Sequence, residues 1–162
     1  MISSAVLSAD KLYRYRLKRA WADGDLLPIV MLNPSTADAQ LNDPTIRRCI
    51  KFAAREGMDG VAVANLYGLR ATDPEALRTA VDPFGPDNDD ALNDLLLDTF
   101  GSKSSFILCA WGVLGGVRGG DARFVHMAKS RGVALRCLGK TKAGHPRHPL
   151  YLAGDTPLES FP

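Results

Sequence analysis

Two carboxamides, an indole and an imidazole stand at the ends of apolar runs in this chain. Leu26–Leu32 runs into Asn33-Pro34-Ser35, Val61–Ala64 into Asn65-Leu66-Tyr67, Phe106–Ala110 into Trp111-Gly112, and Val133–Leu138 leads on to His145-Pro146-Arg147-His148-Pro149. An asparagine side chain offers one acceptor and two donor hydrogens, enough to pair with the edge of a nucleobase. A histidine with an ordinary pKa near neutrality can donate to an oxygen on which negative charge develops. The carboxyl ends of strands in an open α/β sheet form the rim where ligands bind. Together these groups predict one polar crevice. Taken singly, an asparagine after a strand often only starts a turn, and a Pro-rich loop can carry idle histidines.

The elements that must hold these residues follow from pattern. The four apolar runs are short enough for buried strands. Between the first two, Asp43-Pro44-Thr45 predicts a helix start, and Ile46, Cys49, Ile50 and Ala53 form an apolar stripe at helical spacing. Thr72–Glu75 opens a short helix, Asp87-Asn88 starts another through Ala91, Leu92, Leu95 and Leu96, and a further helix is expected over about Asp121 to Arg131. Leu12–Leu17 alternates weakly and reads as an edge strand or a leading segment. Strand and helix alternate, which predicts a three-layer α/β/α fold around a central four-stranded parallel sheet. The 162 residues are expected to form a single domain, residues 1–162, with the tail after Tyr151 extended.

Composition bounds the chemistry. Cys49, Cys109 and Cys137 are odd in number and widely spaced, with no C-x-x-C or His/Cys ligand pattern, so no metal and no cofactor are expected. No run of eighteen apolar residues exists and the first residues lack a secretory signal pattern, so no membrane partner is expected; the cysteine usage suits a reducing cytoplasm, and a cytoplasmic monomer is the expectation. The net charge of +2 conceals polarity. Eight acids and one base lie between Asp73 and Asp98, whereas eight Lys or Arg and one acid lie between Arg118 and His148. The basic run overlaps the expected rim, where a polyanion would approach. The glycines from Gly112 to Gly120 fit neither dinucleotide-binding nor P-loop spacing and read as a tight turn. No G-x-S-x-G elbow is present, and Asp43 reads as a helix cap.

Four segments, in order, resemble the uracil-DNA glycosylase superfamily over roughly Leu26 to Tyr151. Met31-Leu32-Asn33-Pro34-Ser35 is similar to its first motif, and Val61–Asn65 to the strand whose terminal asparagine reads the base. Cys109–Gly112 is similar to its Trp-Gly segment and His148-Pro149-Leu150-Tyr151 to its closing His-Pro-Ser motif. Met31 replaces the motif's glycine and Leu150 its serine, the iron–sulfur branch's cluster cysteines are absent, and no aromatic lies between Asn33 and Phe52. The chain also resembles a bacterial and phage family of unknown function marked by Leu-Asn-Pro-Ser-Thr-Ala-Asp, here Leu32–Asp38.

The resemblance implies a DNA N-glycosylase that flips a damaged or modified pyrimidine out of the stack and excises it by water attack at C1′. Asn33 would orient the water and His148 would stabilise the leaving base. Asn65 would read the base edge, with Tyr67, Pro34, Ser35 and Trp111 completing the base site. Lys140, Lys142 and Arg147 would hold DNA phosphates, with Leu150 or Tyr151 as a wedge. The rival expectations are a non-catalytic DNA- or nucleotide-binding module, and a hydrolase or transferase of free nucleosides.

Overall fold

The computed structural model describes residues 1–162. Seven strands form one sheet: β1 (Ile2–Leu7), β2 (Arg14–Ala20), β3 (Leu26–Met31), β4 (Gly60–Asn65), β5 (Phe106–Cys109), β6 (Ala134–Cys137) and β7 (Glu159–Ser160). Their order across the sheet is β1-β2-β4-β3-β5-β6-β7. The pairs β4–β3, β3–β5 and β5–β6 are parallel, whereas β1–β2, β2–β4 and β6–β7 are antiparallel. The expected four-stranded parallel sheet in a uracil-DNA-glycosylase-like, three-layer arrangement is therefore corrected to a seven-stranded sheet of mixed direction.

The strands missing from the expectation left little hydrophobic signal. In β1, Ile2 and Val6 are exposed beside Ser3 and Ser4, so backbone pairing with β2 holds it rather than burial of an apolar face. Nor is β2 an edge strand. It lies between β1 and β4, and it buries Arg14, Tyr15, Leu17 and Arg19. Strand β7 has two residues and is followed by Phe161, whose N–H donates to the Leu135 carbonyl at 3.0 Å.

The four helices are α1 (Pro44–Arg55), α2 (Ala76–Thr79), α3 (Asn88–Leu97) and α4 (Gly120–Ser130). Asp43 caps α1, its Oδ1 accepting from the Ile46 N–H at 2.8 Å, and Pro44 occupies the first turn where no donor is needed. Ile46, Cys49, Phe52 and Ala53 are the buried stripe of α1; full burial of a side chain the size of Ile46 contributes roughly 1.5–3 kcal/mol.

Two apolar cores lie on the two sides of the sheet, sorted by the period-2 alternation of the strands. Ile29, Met31, Val61, Val63, Leu108 and Ala110 pack with α1. Val30, Ala62, Ala64, Ile107, Cys109 and Trp111 pack with Leu92, Leu95, Leu96, Phe124 and Ala128 of α3 and α4. That sorting decides which polar residues can meet.

Candidate functional site

A cavity of about 380 Å³ opens beyond the carboxyl ends of β3 and β4, lined by Asn33, Asn65 and His148 together with Arg14, Asp43 and Ser35. Its volume is in the range of small-ligand sites. Met31, Thr45, Thr72, Leu150 and Tyr151 complete much of its wall. In register, Met31 faces Asn65 across the β3–β4 pair. Asn65 continues the alternation of Val61 and Val63, on the α1 side of the sheet, and Asn33, two residues beyond β3, meets it on the wall of the same cavity beside Thr45 and Ile46 of α1.

The Asn33 side chain is held by its surroundings. Its Nδ2 donates to the carbonyls of Ala71 at 2.9 Å, Pro34 at 3.1 Å and Leu69 at 3.4 Å. Three carbonyls around one nitrogen assign the amide orientation and leave Oδ1 as its unengaged acceptor. Pro34 is buried outside the cavity and contributes through that carbonyl, which also accepts the Ala71 N–H.

Asn65 is the opposite case. It is completely buried, yet neither Nδ2 nor Oδ1 has a hydrogen-bond partner. Leaving such groups unpaired costs about 1–3 kcal/mol, an arrangement native interiors rarely keep without a reason. The backbone beneath it is secured by Asn88, whose Nδ2 donates to the carbonyls of Asn65 and Leu66 at 3.0 and 3.1 Å. In sequence, Asn88 had the appearance of a helix-start residue only; its position in the chain gave no sign of this long-range role.

His148 is half-buried and tied down by the loop around it. The Gly112 N–H donates to the Pro146 carbonyl and the Arg147 N–H to the Gly139 carbonyl, closing the 139–147 loop beside β5. Nδ1 of His148 accepts the Leu150 N–H at 3.2 Å, so the neutral ring carries its proton on Nε2. Burial pulls its pKa below the ordinary value, with the negative charge of Asp43 partly opposing. The result is a neutral donor at the cavity wall. His145 is absent from that wall; its N–H donates to Thr141 Oγ1 within the loop.

Tyr67 and Trp111 do not line the cavity. Tyr67 is fully buried and its hydroxyl organises the glycine-rich turn, donating to the Gly115 carbonyl at 2.6 Å and accepting from the Arg118 and Gly120 N–H groups. A side chain on Gly120 would collide with that ring. Trp111 shares the phase of Ile107 and Cys109, which places it in the opposite core, edge-on to Phe124 and Phe161. Both expectations of a base contact are corrected, and the only aromatic side chain on the cavity wall is that of Tyr151, 88% exposed at the mouth.

Basic groups flank the opening on two sides. Arg147 lines a second hollow that shares His148 and Tyr151 with the cavity. Lys142 is exposed on the same loop, and Lys140 lies 3.9 Å from Glu159. On the other side, Lys11 and Arg70 line a groove that shares Ser35, Ala71 and Thr72 with the cavity. Sequence reading did not place that second flank.

Nor did it find Arg14, which belongs to a basic stretch and gave no separate sign. Arg14 is 2% exposed and lines the cavity. Burial draws its pKa down to about 10, opposed by Asp43 and reinforced by Arg70 and Arg19. With Arg19 it anchors the 37–42 loop: Arg14 Nη1 donates to the Ala37 carbonyl at 2.6 Å, Arg19 Nε to Asn42 Oδ1 at 2.7 Å and Arg19 Nη2 to the Asp38 and Leu41 carbonyls.

No group of His, Cys, Asp and Glu is arranged to hold a metal ion, and the three cysteines are buried, unbridged thiols. Burial pushes the Cys49 thiol up to about 12, so it does not serve as a thiolate nucleophile at neutral pH. No helix is long and apolar enough to cross a membrane.

The combination is a ligand cavity with a fixed acceptor, an unsatisfied carboxamide, a neutral imidazole and a buried guanidinium. The chain belongs to the family described as "Protein of unknown function (DUF1643)", which matches residues 14–150. No curated protein and no solved structure matches it significantly.

Proposed function

We propose that this protein is a monofunctional DNA N-glycosylase that removes a damaged or modified pyrimidine by water attack at C1′. The observation that carries the reading is the Asn65 carboxamide, fully buried at the cavity with both polar atoms unpaired. A nucleobase edge presents adjacent donors and acceptors that would satisfy it, which neither a sugar nor a phosphate alone would do as well. The motif resemblance to uracil-DNA glycosylases supports the same assignment for Asn33, Asn65 and His148.

In this reading the flipped nucleotide enters between the two basic flanks and its base pairs with Asn65. The glycosidic bond breaks, its electron pair passing to the base, and the sugar acquires oxocarbenium character. Asn33 Oδ1 accepts a hydrogen bond from the attacking water and aims its oxygen at C1′. A carboxamide is not a base at neutral pH, so its contribution is positioning, and the water's proton leaves to solvent as the new C–O bond forms. The Nε2–H of His148 stabilises negative charge on the departing base. Lys142 and Arg147 hold backbone phosphates, Ser35 borders the base, and Leu150 or Tyr151 fills the space the base vacates.

The test is a panel of oligonucleotides, each with one modified pyrimidine, scored for abasic sites after incubation with wild-type protein and with Asn65→Ala. Excision of at least one member by wild type, and its loss in the variant, is the expected result. A protein that excises none but binds modified DNA through Asn65 would be a binding module, and one that cleaves only free nucleosides would be a nucleoside hydrolase.

A further inference from the structure

Strand β2 buries two arginines, and only one of them is satisfied. Arg19 has partners on Nε, Nη1 and Nη2, supplied by Asn42, Lys18, Asp38 and Leu41. The Arg14 side chain makes one hydrogen bond, from Nη1 to the Ala37 carbonyl, and its buried Nε–H has no partner. No carboxylate lies within ion-pair distance of it. Asp43 and Asp38 act on it through space, while Arg19 and Arg70 add like charge. A guanidinium removed from water with no carboxylate in contact and without a full set of acceptors is costly, and its planar fork matches a carboxylate or phosphate. Arg14 lines the same cavity as Asn65.

We propose that the pyrimidine taken into this cavity carries an anionic substituent, which Arg14 receives as its counter-ion. The inference rests on the glycosylase reading and narrows its substrate class. Two sources could supply an anion: an acidic group on the base, or the phosphate of the flipped nucleotide. Depth favours the base. Arg14 is 2% exposed, whereas a phosphodiester is tethered on both sides to a strand that stays outside. Lys11, Lys142 and Arg147 are exposed and lie outside the cavity wall, where they are available to such a strand.

The experiment measures affinity by titration calorimetry, so it does not depend on turnover. Short single-stranded oligonucleotides of one sequence would carry a central pyrimidine with a carboxyl, a hydroxymethyl or a methyl group at C5. Their phosphates are identical. Wild type is expected to bind the carboxyl form at least about tenfold more tightly than the neutral forms, the scale of one charge-assisted pair. Arg14→Gln should bring that ratio close to one, and Arg14→Lys, which keeps the charge but loses the fork, should retain part of it.

A wild-type ratio near one overturns the inference without any variant, so poor folding of Arg14→Gln does not protect it. A ratio unchanged in Arg14→Gln also overturns it. Uracil-5-carboxylate as the free base and deoxyuridine monophosphate separate the two anions. Arg14-dependent binding of the monophosphate but not of the acidic base would assign the site to phosphate and remove the proposal. Asn65-dependent binding of neutral pyrimidines with no acid preference leaves the glycosylase reading in place and removes only this inference. Absence of any Asn65-dependent binding removes both.

Discussion

The Leu150 N–H is hydrogen-bonded to Nδ1 of His148 at 3.2 Å, and this one contact determines what the histidine can do. An N–H directed at Nδ1 requires a lone pair there, so the ring is neutral and its remaining proton is on Nε2. Protonating it would set two N–H groups against each other. Burial acts in the same direction, holding the His148 pKa below its ordinary value despite Asp43.

This predicts a pH profile with a definite sign. The folded-state pKa is depressed, so the unfolded chain binds the proton more readily. The associated stability is complete above the unfolded value of about 6.5 and is lost as pH falls below it towards the folded value. Excision should stay level from about pH 8 down through 6.5 and decline only below that. Imidazole resonances followed by NMR would check it; a His148 that titrates above 6.5 would contradict the tautomer assignment.

Asn33 yields a prediction that separates positioning from acid–base chemistry. Asn33→Ala should slow single-turnover excision by at least roughly tenfold, about 1.4 kcal/mol, with DNA affinity nearly unchanged. Asn33→Asp should not improve on asparagine. It would replace an NH₂ group with an oxygen facing the carbonyls of Ala71, Pro34 and Leu69, and should lose about 1–3 kcal/mol of stability. Urea denaturation at neutral pH is the measurement, and an Asp variant as stable as wild type would show that Nδ2 is not the atom surrounded.

Asn65→Ala and Asn88→Ala should differ in their effect on stability. Asn65 is buried with no partner for its side chain, so Asn65→Ala should leave the melting temperature unchanged or raise it while abolishing recognition of the base. Asn88→Ala removes the donor to two buried carbonyls and should cost about 1–3 kcal/mol. Thermal melts of both variants decide this. A strongly destabilised Asn65→Ala would mean that its carboxamide is structural.

Much of this site was legible in the sequence, and strand phase explains where the reading failed. Asn33, Asn65 and His148 do border one cavity, and the Asp43 cap and the apolar stripe of α1 stand where the spacing put them. Trp111 also ends a strand, so position alone groups it with them. Counting back by twos puts it with Cys109 and Ile107, on the other side of the sheet from Met31 and Val63. That information was present in the residue order. Arg14 and Asn88 were different, because their roles depend on partners 23 and 22–23 positions away that no local pattern announces. The mixed direction of the sheet was hidden for a related reason, since β1 and β7 expose most of their side chains and pair through the backbone.

The two basic flanks predict how salt should weaken DNA binding. Each phosphate contact releases condensed counter-ions, so the log–log slope of affinity against salt counts contacts, at about 0.7 per contact on a single strand and 0.9 on a duplex. Arg147 shares a hollow with His148, with Lys142 exposed on the same loop, and Lys11 and Arg70 share a groove with Ser35. Removing Lys142 and Arg147 together should flatten the slope by about one to two units, and a Lys11→Ala, Arg70→Ala pair should do the same if the strand passes over both sides. Lys140 should matter less, because Glu159 lies 3.9 Å from its ammonium. All of these substitutions should weaken binding to every sequence alike, because phosphates carry no sequence information. A slope that responds to one pair and not the other would confine the strand to that flank. If neither pair changes it, the basic residues are a solvated face, and cleavage of free nucleosides becomes the reading that the cavity favours.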